Sequence, residues 1–382
     1  MADIPLYLDY NSTTPVDEAV VEAMLPYFSR HFGNSSSVHR FGLEADVAVR
    51  LAREQVASLI NAHPEEIIFT SGATEASNLV IKGLALNPRN TRKSLSVSST
   101  EHKAILDPAG TLSAFGFSCR EIPVLASGLV SADDFKSCVD DQSLLSAVML
   151  ANNETGVIQP VSELSEIARR TGSFFLCDAV QAGGKISIDV KELGVDFLLL
   201  SSHKLYGPKG AGALYISKRV PRSVILPLID GGGHESGLRS GTLNVPAIVG
   251  FGKACELAKS RMNQDSLKVG DYRNQIEKAL LASFPQIIIN GADAPRLPNT
   301  LSFSVPGLRP KQLIKSLKQI AVSSGSACSS ANPAPSHVLL AMGMPSALAE
   351  NTIRISLGRM NTQEEIDHAI SILTETIGRI TS

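Results

Sequence analysis

Two side chains near the middle of the chain, Lys204 and Asp178, have the type and placement of a cofactor site. Lys204 lies in Leu198-Leu199-Leu200-Ser201-Ser202-His203-Lys204-Leu205-Tyr206-Gly207-Pro208-Lys209-Gly210. There the apolar run that begins at Phe197 reads as a buried strand, with the polar cluster at its end. A lysine held beside a strand end and partly stripped of water loses its proton and forms a Schiff base with a carbonyl. Alone it would be read as a surface lysine in a loop. Asp178, which closes the apolar run Phe174-Phe175-Leu176-Cys177, changes that reading. A pyridine aldehyde needs a lysine for its aldehyde and a carboxylate for its ring nitrogen. The pair therefore points to pyridoxal 5'-phosphate (PLP).

The elements that must position these residues alternate along the chain. Strands are expected near 95–99, 121–124 and 147–150, and at the runs ending at Asp178 and Ser201. Helices are expected after His102, near 132–138 and near 161–171. This alternation argues for a mostly parallel sheet covered by helices on both faces. In such sheets the ligand crevice lies beyond the carboxyl ends of the strands. His102, Asn153, Asp178 and the segment from Ser201 to Lys204 all follow predicted strands. Upstream, Ile67-Ile68-Phe69-Thr70-Ser71-Gly72-Ala73-Thr74-Glu75 reads as a strand, a small-residue turn and a helix start. Free backbone N–H groups there suit the phosphate that PLP would bring, with Ser71, Ala73 and Thr74 as candidates. Downstream, the glycine-dense stretch Gly231-Gly232-Gly233-His234-Glu235-Ser236-Gly237 reads as a loop before a helix near 245–259. A separate polar helical segment near 265–282 is expected to lead into a smaller domain. That domain has strands at 287–289, 300–303 and 353–356, and helices near 311–319 and 364–380.

Composition limits the function classes. Hydrophobic residues make up 43% and charged residues 19%, ordinary globular values that support packed domains rather than disorder. The formal net charge of −2 gives no electrostatic footprint for nucleic acid or an anionic membrane, which argues against direct nucleic-acid binding. The start Met-Ala-Asp has no basic segment followed by an apolar one, so no signal peptide is expected, and no apolar run approaches membrane-spanning length. The five cysteines are widely spaced without Cys-x-x-Cys, which argues against a disulfide framework or a self-contained zinc site. A cytoplasmic protein with reduced thiols is the expectation.

One cysteine stands apart. Cys328 lies in Ser323-Ser324-Gly325-Ser326-Ala327-Cys328-Ser329-Ser330-Ala331-Asn332-Pro333, a small-residue stretch without periodicity that reads as an exposed loop. Free cysteines are usually buried, as Cys177 should be within its apolar run. A thiol on a loop near a cofactor site is a candidate nucleophile. Cys119, Cys138 and Cys255 read as structural.

Together these residues resemble the cysteine desulfurases of the class-V aminotransferase group, nearly end to end. The motifs that carry the likeness are Leu8-Asp9-Tyr10, Ser71-Gly72-Ala73-Thr74-Glu75, Glu101-His102, Asn152-Asn153-Glu154-Thr155-Gly156, Asp178-Ala179-Val180-Gln181 and Ser201-Ser202-His203-Lys204. They continue through Arg239-Ser240-Gly241-Thr242, Ser324-Gly325-Ser326-Ala327-Cys328 and Ile353-Arg354-Ile355-Ser356-Leu357-Gly358-Arg359. The resemblance implies an α/β fold of the PLP-dependent transferase type I (aspartate aminotransferase-like) kind. A large PLP-binding domain is expected over 15–260, and a smaller α+β domain, built from 1–14 and 261–382, carries the cysteine loop.

The resemblance also implies roles. Lys204 holds the PLP aldehyde and moves protons. Asp178 pairs with the ring nitrogen, His102 stacks on the ring and takes part in proton transfer, and Gln181 bonds the ring hydroxyl. Ala73, Thr74, Ser201 and His203 hold the phosphate, with Thr242 reaching in from the other subunit of a homodimer. Asn153 and Arg354 orient the carboxylate of L-cysteine, and Cys328 takes its sulfur as a persulfide while alanine leaves. A sulfur-acceptor or scaffold protein is the expected partner. No metal site is expected, apart from transient ligation of a cluster by Cys328. Iron–sulfur assembly is the default destination of the sulfur; tRNA thiolation, DNA phosphorothioation and a selenocysteine lyase activity are the alternatives. An ordinary aminotransferase would have no use for Cys328, and a non-catalytic metal scaffold would show clustered cysteines. The chain departs from the family pattern at Ser35, His234, Ser236 and the segment from Ala331 to Ala334, none of which touches the inferred chemistry.

Overall fold

A computed structural model describes residues 4–309, 311–324 and 335–381. Twelve strands are present among them: β1 (Leu6–Tyr7), β2 (Ile67–Thr70), β3 (Ser94–Ser98), β4 (Ser118–Ile122), β5 (Ser143–Ala147), β6 (Phe174–Asp178), β7 (Phe197–Ser201), β8 (Gly212–Ile216), β9 (Ile288–Ile289), β10 (Thr300–Ser304), β11 (Ile320–Ala321) and β12 (Thr352–Ser356). Seven form one sheet in the order β2-β8-β7-β6-β5-β3-β4. All its pairs are parallel except those made by β8, which runs antiparallel to both neighbours. Only ten residues separate β7 from β8, too few for a helical crossover, so the chain turns back beside itself.

The apolar runs are buried on both faces, as parallel strands require. In β7, Leu198 and Leu200 enter the core on one face, while Phe197 and Leu199 enter the core on the other. The first core is closed by the helix Arg40–Leu59 and the start of a long helix, and the second by the helix Ala73–Ala85. A third core, which includes Leu8, Leu301, Phe303, Ile353 and Leu373, belongs to the small sheet β12-β10-β9 and the helix Gln363–Thr381.

The segments 245–259 and 265–282 are one continuous helix, Val245–Ser283. The intervening residues from Ser260 to Gln264 include no glycine or proline, so nothing breaks the ladder. Its first half packs in the first core through Phe251, Ala254 and Cys255, and its second half in the third through Val269, Ile276 and Leu280. The boundary expected at 260 falls inside this rod. Among the described residues no helix is long and apolar enough to cross a membrane.

The amino-terminal segment ties the two units together. β1 pairs with β11, Tyr10 N–H donates to the Ser356 carbonyl, and Thr14 N–H donates to the His203 carbonyl. Asn11 is a hub: its side-chain amide donates to Thr300 Oγ1 (2.9 Å) and the Asn153 carbonyl (3.2 Å), and its Oδ1 accepts from Asn299 (3.0 Å).

Candidate active site

The carboxyl ends of β6 and β7 are neighbours and that of β2 lies across β8 from them, with Thr70 and Ser201 both in register with Gly212. A Cβ at Gly212 would lie 2.6 Å from the Gly72 Cα, so the backbones meet where only glycine fits. Beyond these ends opens a cavity of about 590 Å³. Its walls bring together Ala73, Thr74, His102, Asn153, Asp178, Gln181, Ser201, His203 and Lys204. Ser12, Thr13, Met149 and Lys209 also line it and were not anticipated. The sequence does carry a signal for Ser12 and Thr13, small hydroxyl residues that follow the short strand β1.

Lys204 Nζ donates to the carbonyls of Asn11 (2.5 Å) and Ser12 (2.7 Å). Its loop is taut: Tyr206 has φ of 63°, a left-handed conformation that costs a non-glycine residue energy. The Tyr206 hydroxyl accepts from Arg359 N–H at 2.8 Å, and the Arg359 guanidinium lies 3.9 Å over its ring. Asp178 is buried at the end of β6, where its Oδ1 accepts from Val180 N–H at 2.9 Å. Burial pushes its carboxyl above the ordinary range, against the pull of that hydrogen bond, His102 and Lys204. Next to it, burial and then the Asp178 charge hold Glu101 well above the usual carboxylate range. Glu101 accepts from Met149 N–H through Oε1, while its Oε2 has no hydrogen-bond partner among the described residues.

His102 Nδ1 accepts from Ala104 N–H at 3.0 Å and caps the helix Lys103–Thr111, so the neutral ring carries its proton on Nε2. His203 Nδ1 lies 3.1 Å from Thr13 Oγ1. Burial, then Lys204, Lys209 and Lys185, lower His203 to about 4, so it is neutral at pH 7. The helix Ala73–Ala85 points its amino terminus at the cavity from Gly72, which supplies no side-chain cap. Glu75 in its first turn is bonded to Arg239 (2.9 Å).

Three expected residues lie elsewhere. Arg354 is buried just behind the wall, donating to Asp9 Oδ1 (2.6 Å), Ser12 Oγ (2.9 Å) and the Asn153 carbonyl (2.9 Å); its Nε has no partner among the described residues. Thr242 is exposed and does not line its own chain's cavity. Cys328 lies outside the described residues.

The donor set fits PLP. The cavity offers an amine for an aldehyde, a helix amino terminus for a phosphate, and a buried carboxylate that a protonated ring nitrogen would return to its charged form. The model of the aminotransferase class-V family matches residues 6–369. The chain belongs to the cysteine desulfurases of that family. This class-V aminotransferase is 46% identical over 378 residues to the cysteine desulfurase IscS of Anaeromyxobacter sp. (strain Fw109-5), covering 99% of this chain and 93% of that protein. It superposes on a solved NifS-like protein with a TM-score of 0.89 at 37% identity, covering 98% of this chain and 100% of the other. It also resembles the structure of SspA in complex with cysteine (TM-score 0.82, 36% identity, 94% of this chain and 100% of that one). A PLP enzyme with the type I transferase fold is therefore established for this chain.

Proposed function

We propose that this class-V aminotransferase is a cysteine desulfurase that takes sulfur from L-cysteine, releases L-alanine and passes the sulfur from Cys328 to an acceptor protein. The observation that carries the reading is the convergence of Lys204, Asp178 and His102 on one cavity in a chain related to cysteine desulfurases over 99% of its length. When bound, PLP supplies an electron sink conjugated to the substrate α-carbon. Lys204 would take its aldehyde, Asp178 its ring nitrogen, Gln181 its hydroxyl and His102 one face of its ring. Ala73, Thr74, Ser201 and neutral His203 would hold the phosphate.

The protein's own groups divide the remaining work. Asn153 and Arg354 orient the substrate carboxylate; Ser12, in the cavity wall, already touches the guanidinium that would do so. The Lys204 amine moves protons at the α-carbon. The Cys328 thiolate attacks the substrate sulfur, so a sulfur–sulfur bond forms and the carbon–sulfur bond breaks. The electron pair of the broken bond stays on carbon, which takes a proton and becomes the methyl group of alanine. The sulfur is then a persulfide for an acceptor, with iron–sulfur assembly in the cytoplasm as the proposed use.

A homodimer belongs to the same reading. Phe28, Phe32, Val38, Phe41, Leu43 and Val47 leave a run of large apolar side chains exposed, with Val38 at 91%, and a second copy is the proposed cover. Thr242, exposed outside its own cavity, would then serve the neighbouring one.

The deciding experiment measures alanine and sulfide release from L-cysteine with a thiol reductant, for the native protein and Cys328→Ala. Native protein should be yellow and make both products, while the variant stays yellow and makes neither. Equal activity in the variant would remove Cys328 from the mechanism.

A further inference from the structure

Lys204 also lines a second, much smaller chamber of about 40 Å³. Lys185, from the turn after β6, lines it too. Lys185 Nζ donates to the Gln181 carbonyl at 2.8 Å and to Gln181 Oε1 at 3.4 Å. The Gln181 amide in turn donates to the Asn11 carbonyl at 3.0 Å, the same carbonyl that accepts from Lys204 Nζ. Two amines are thus joined through one carboxamide and one shared acceptor. The Lys185 backbone is pinned as well, its carbonyl accepting from Ser266 Oγ at 2.6 Å.

We infer that Lys185 is a positioning residue for the reaction: it sets the orientation of the Gln181 carboxamide and places a second titratable amine beside Lys204, whose charged form biases the Lys204 nitrogen toward neutral. The inference rests on the PLP reading above. The other ionisable groups facing the chamber do not cancel this charge. Tyr10 and Tyr206 are phenols that burial raises, and so stay neutral. Asp265, from the long helix, faces Arg359 at 4.0 Å, and its carboxyl is raised by burial. Although the Lys185 residue is partly exposed, its amine turns inward onto Gln181. Burial first and Lys204 second lower it to about 7. The effect is reciprocal, because like charges at short range disfavour each other's charged form. The influence reaches His203, where Lys185 is among the cations that lower the ring.

An amine held only for packing would behave differently. Replacing it would change stability and leave the protonation of the Lys204 nitrogen where it was. The test is a pH titration of the visible absorbance of the PLP-loaded protein, native against K185M, K185Q and K185R, with thermal melts of each. Loss of the ammonium in K185M and K185Q should raise the titration midpoint by about one pH unit. K185R, which keeps the charge, should return it toward the native value. K185Q serves as the uncharged variant if K185M does not fold. Midpoints of the uncharged variants equal to the native one would overturn the role of Lys185 while leaving the PLP reading intact. Absence of a visible band in the native protein would instead overturn the PLP reading, and this inference with it.

Discussion

The ion pair between Arg53 and Glu235 supports the most demanding prediction. Glu235 opens the loop that carries Arg239 and Thr242, and its own backbone has φ of 50°. Its side chain is 1% exposed, and Arg53 meets it through two hydrogen bonds of 2.6 and 2.8 Å. Glu235 Oε2 also accepts from Phe69 N–H at 2.7 Å, and the Arg53 guanidinium lies 4.6 Å over the Phe69 ring. The pair thus fastens the glycine-rich loop to β2, the strand that leads into the cavity. Removing one partner strands the other charge in the interior, which costs about 3–5 kcal/mol. At about 2.1 cal/mol/K per residue over 382 residues, the unfolding entropy is roughly 0.8 kcal/mol/K, so Glu235→Met should lower Tm by about 4–6 °C. Arg53→Met should act similarly. The double variant should recover part of the loss, because no buried charge remains, although Phe69 N–H still lacks its acceptor. Calorimetric melts of the four proteins form a double-mutant cycle. Single-variant effects that simply add, within about 0.5 kcal/mol, would show that the two side chains do not act as a unit.

The remaining predictions concern pH and packing. Burial alone would raise Glu75, but hydrogen bonds from Arg239 and Ser71 outweigh it and hold the carboxyl below its ordinary range. A lowered acid stabilises the fold above its unfolded pKa and loses that contribution as pH falls through the folded value. Glu75→Gln should therefore destabilise at pH 7 and converge with the native protein below about pH 4, as read from urea midpoints against pH; a constant gap down to pH 3 would refute the assignment. At Gly358 an added Cβ would lie 2.1 Å from the Tyr10 ring, which is buried and held edge-on by Tyr7. Gly358→Ala should cost about 1–3 kcal/mol by overpacking, measured by denaturant titration, and a neutral result would mean the ring can yield.

Much of this fold is legible because parallel strands buried on both faces must be apolar runs, and polar residues at their ends then mark the crevice. Lys204 and Asp178 stand out for that reason. The continuity of the 39-residue helix was less visible, because its apolar face changes partner midway and the periodicity is interrupted although the backbone is not. The reversal of β8 is written only in the short connection before it, which periodicity does not measure. Arg354 is marked by the family motif, but its surroundings are not, and Lys185 is marked by nothing in the sequence. Arg354 is set by Asp9 and Ser12, residues far away in sequence that tertiary packing alone brings beside it, and Lys185 is pinned through its carbonyl by Ser266 on the long helix. Cys328 could be singled out only by its setting among small residues, and its role rests on chemistry and kinship.

The amino-terminal strap has a consequence for biogenesis. Residues 6–13 leave the ribosome about three hundred residues before β11 and β12, where the partners of β1 and Tyr10 lie. Until those strands emerge, the Asn11 and Ser12 carbonyls are held against Lys204 from one side only, by Gln181 and by the bonds of Thr13 and Thr14 to His203. The order of synthesis therefore completes the lysine pocket only after β12 has been made. Tight capture of the cofactor then waits on the small sheet as well as on the large one.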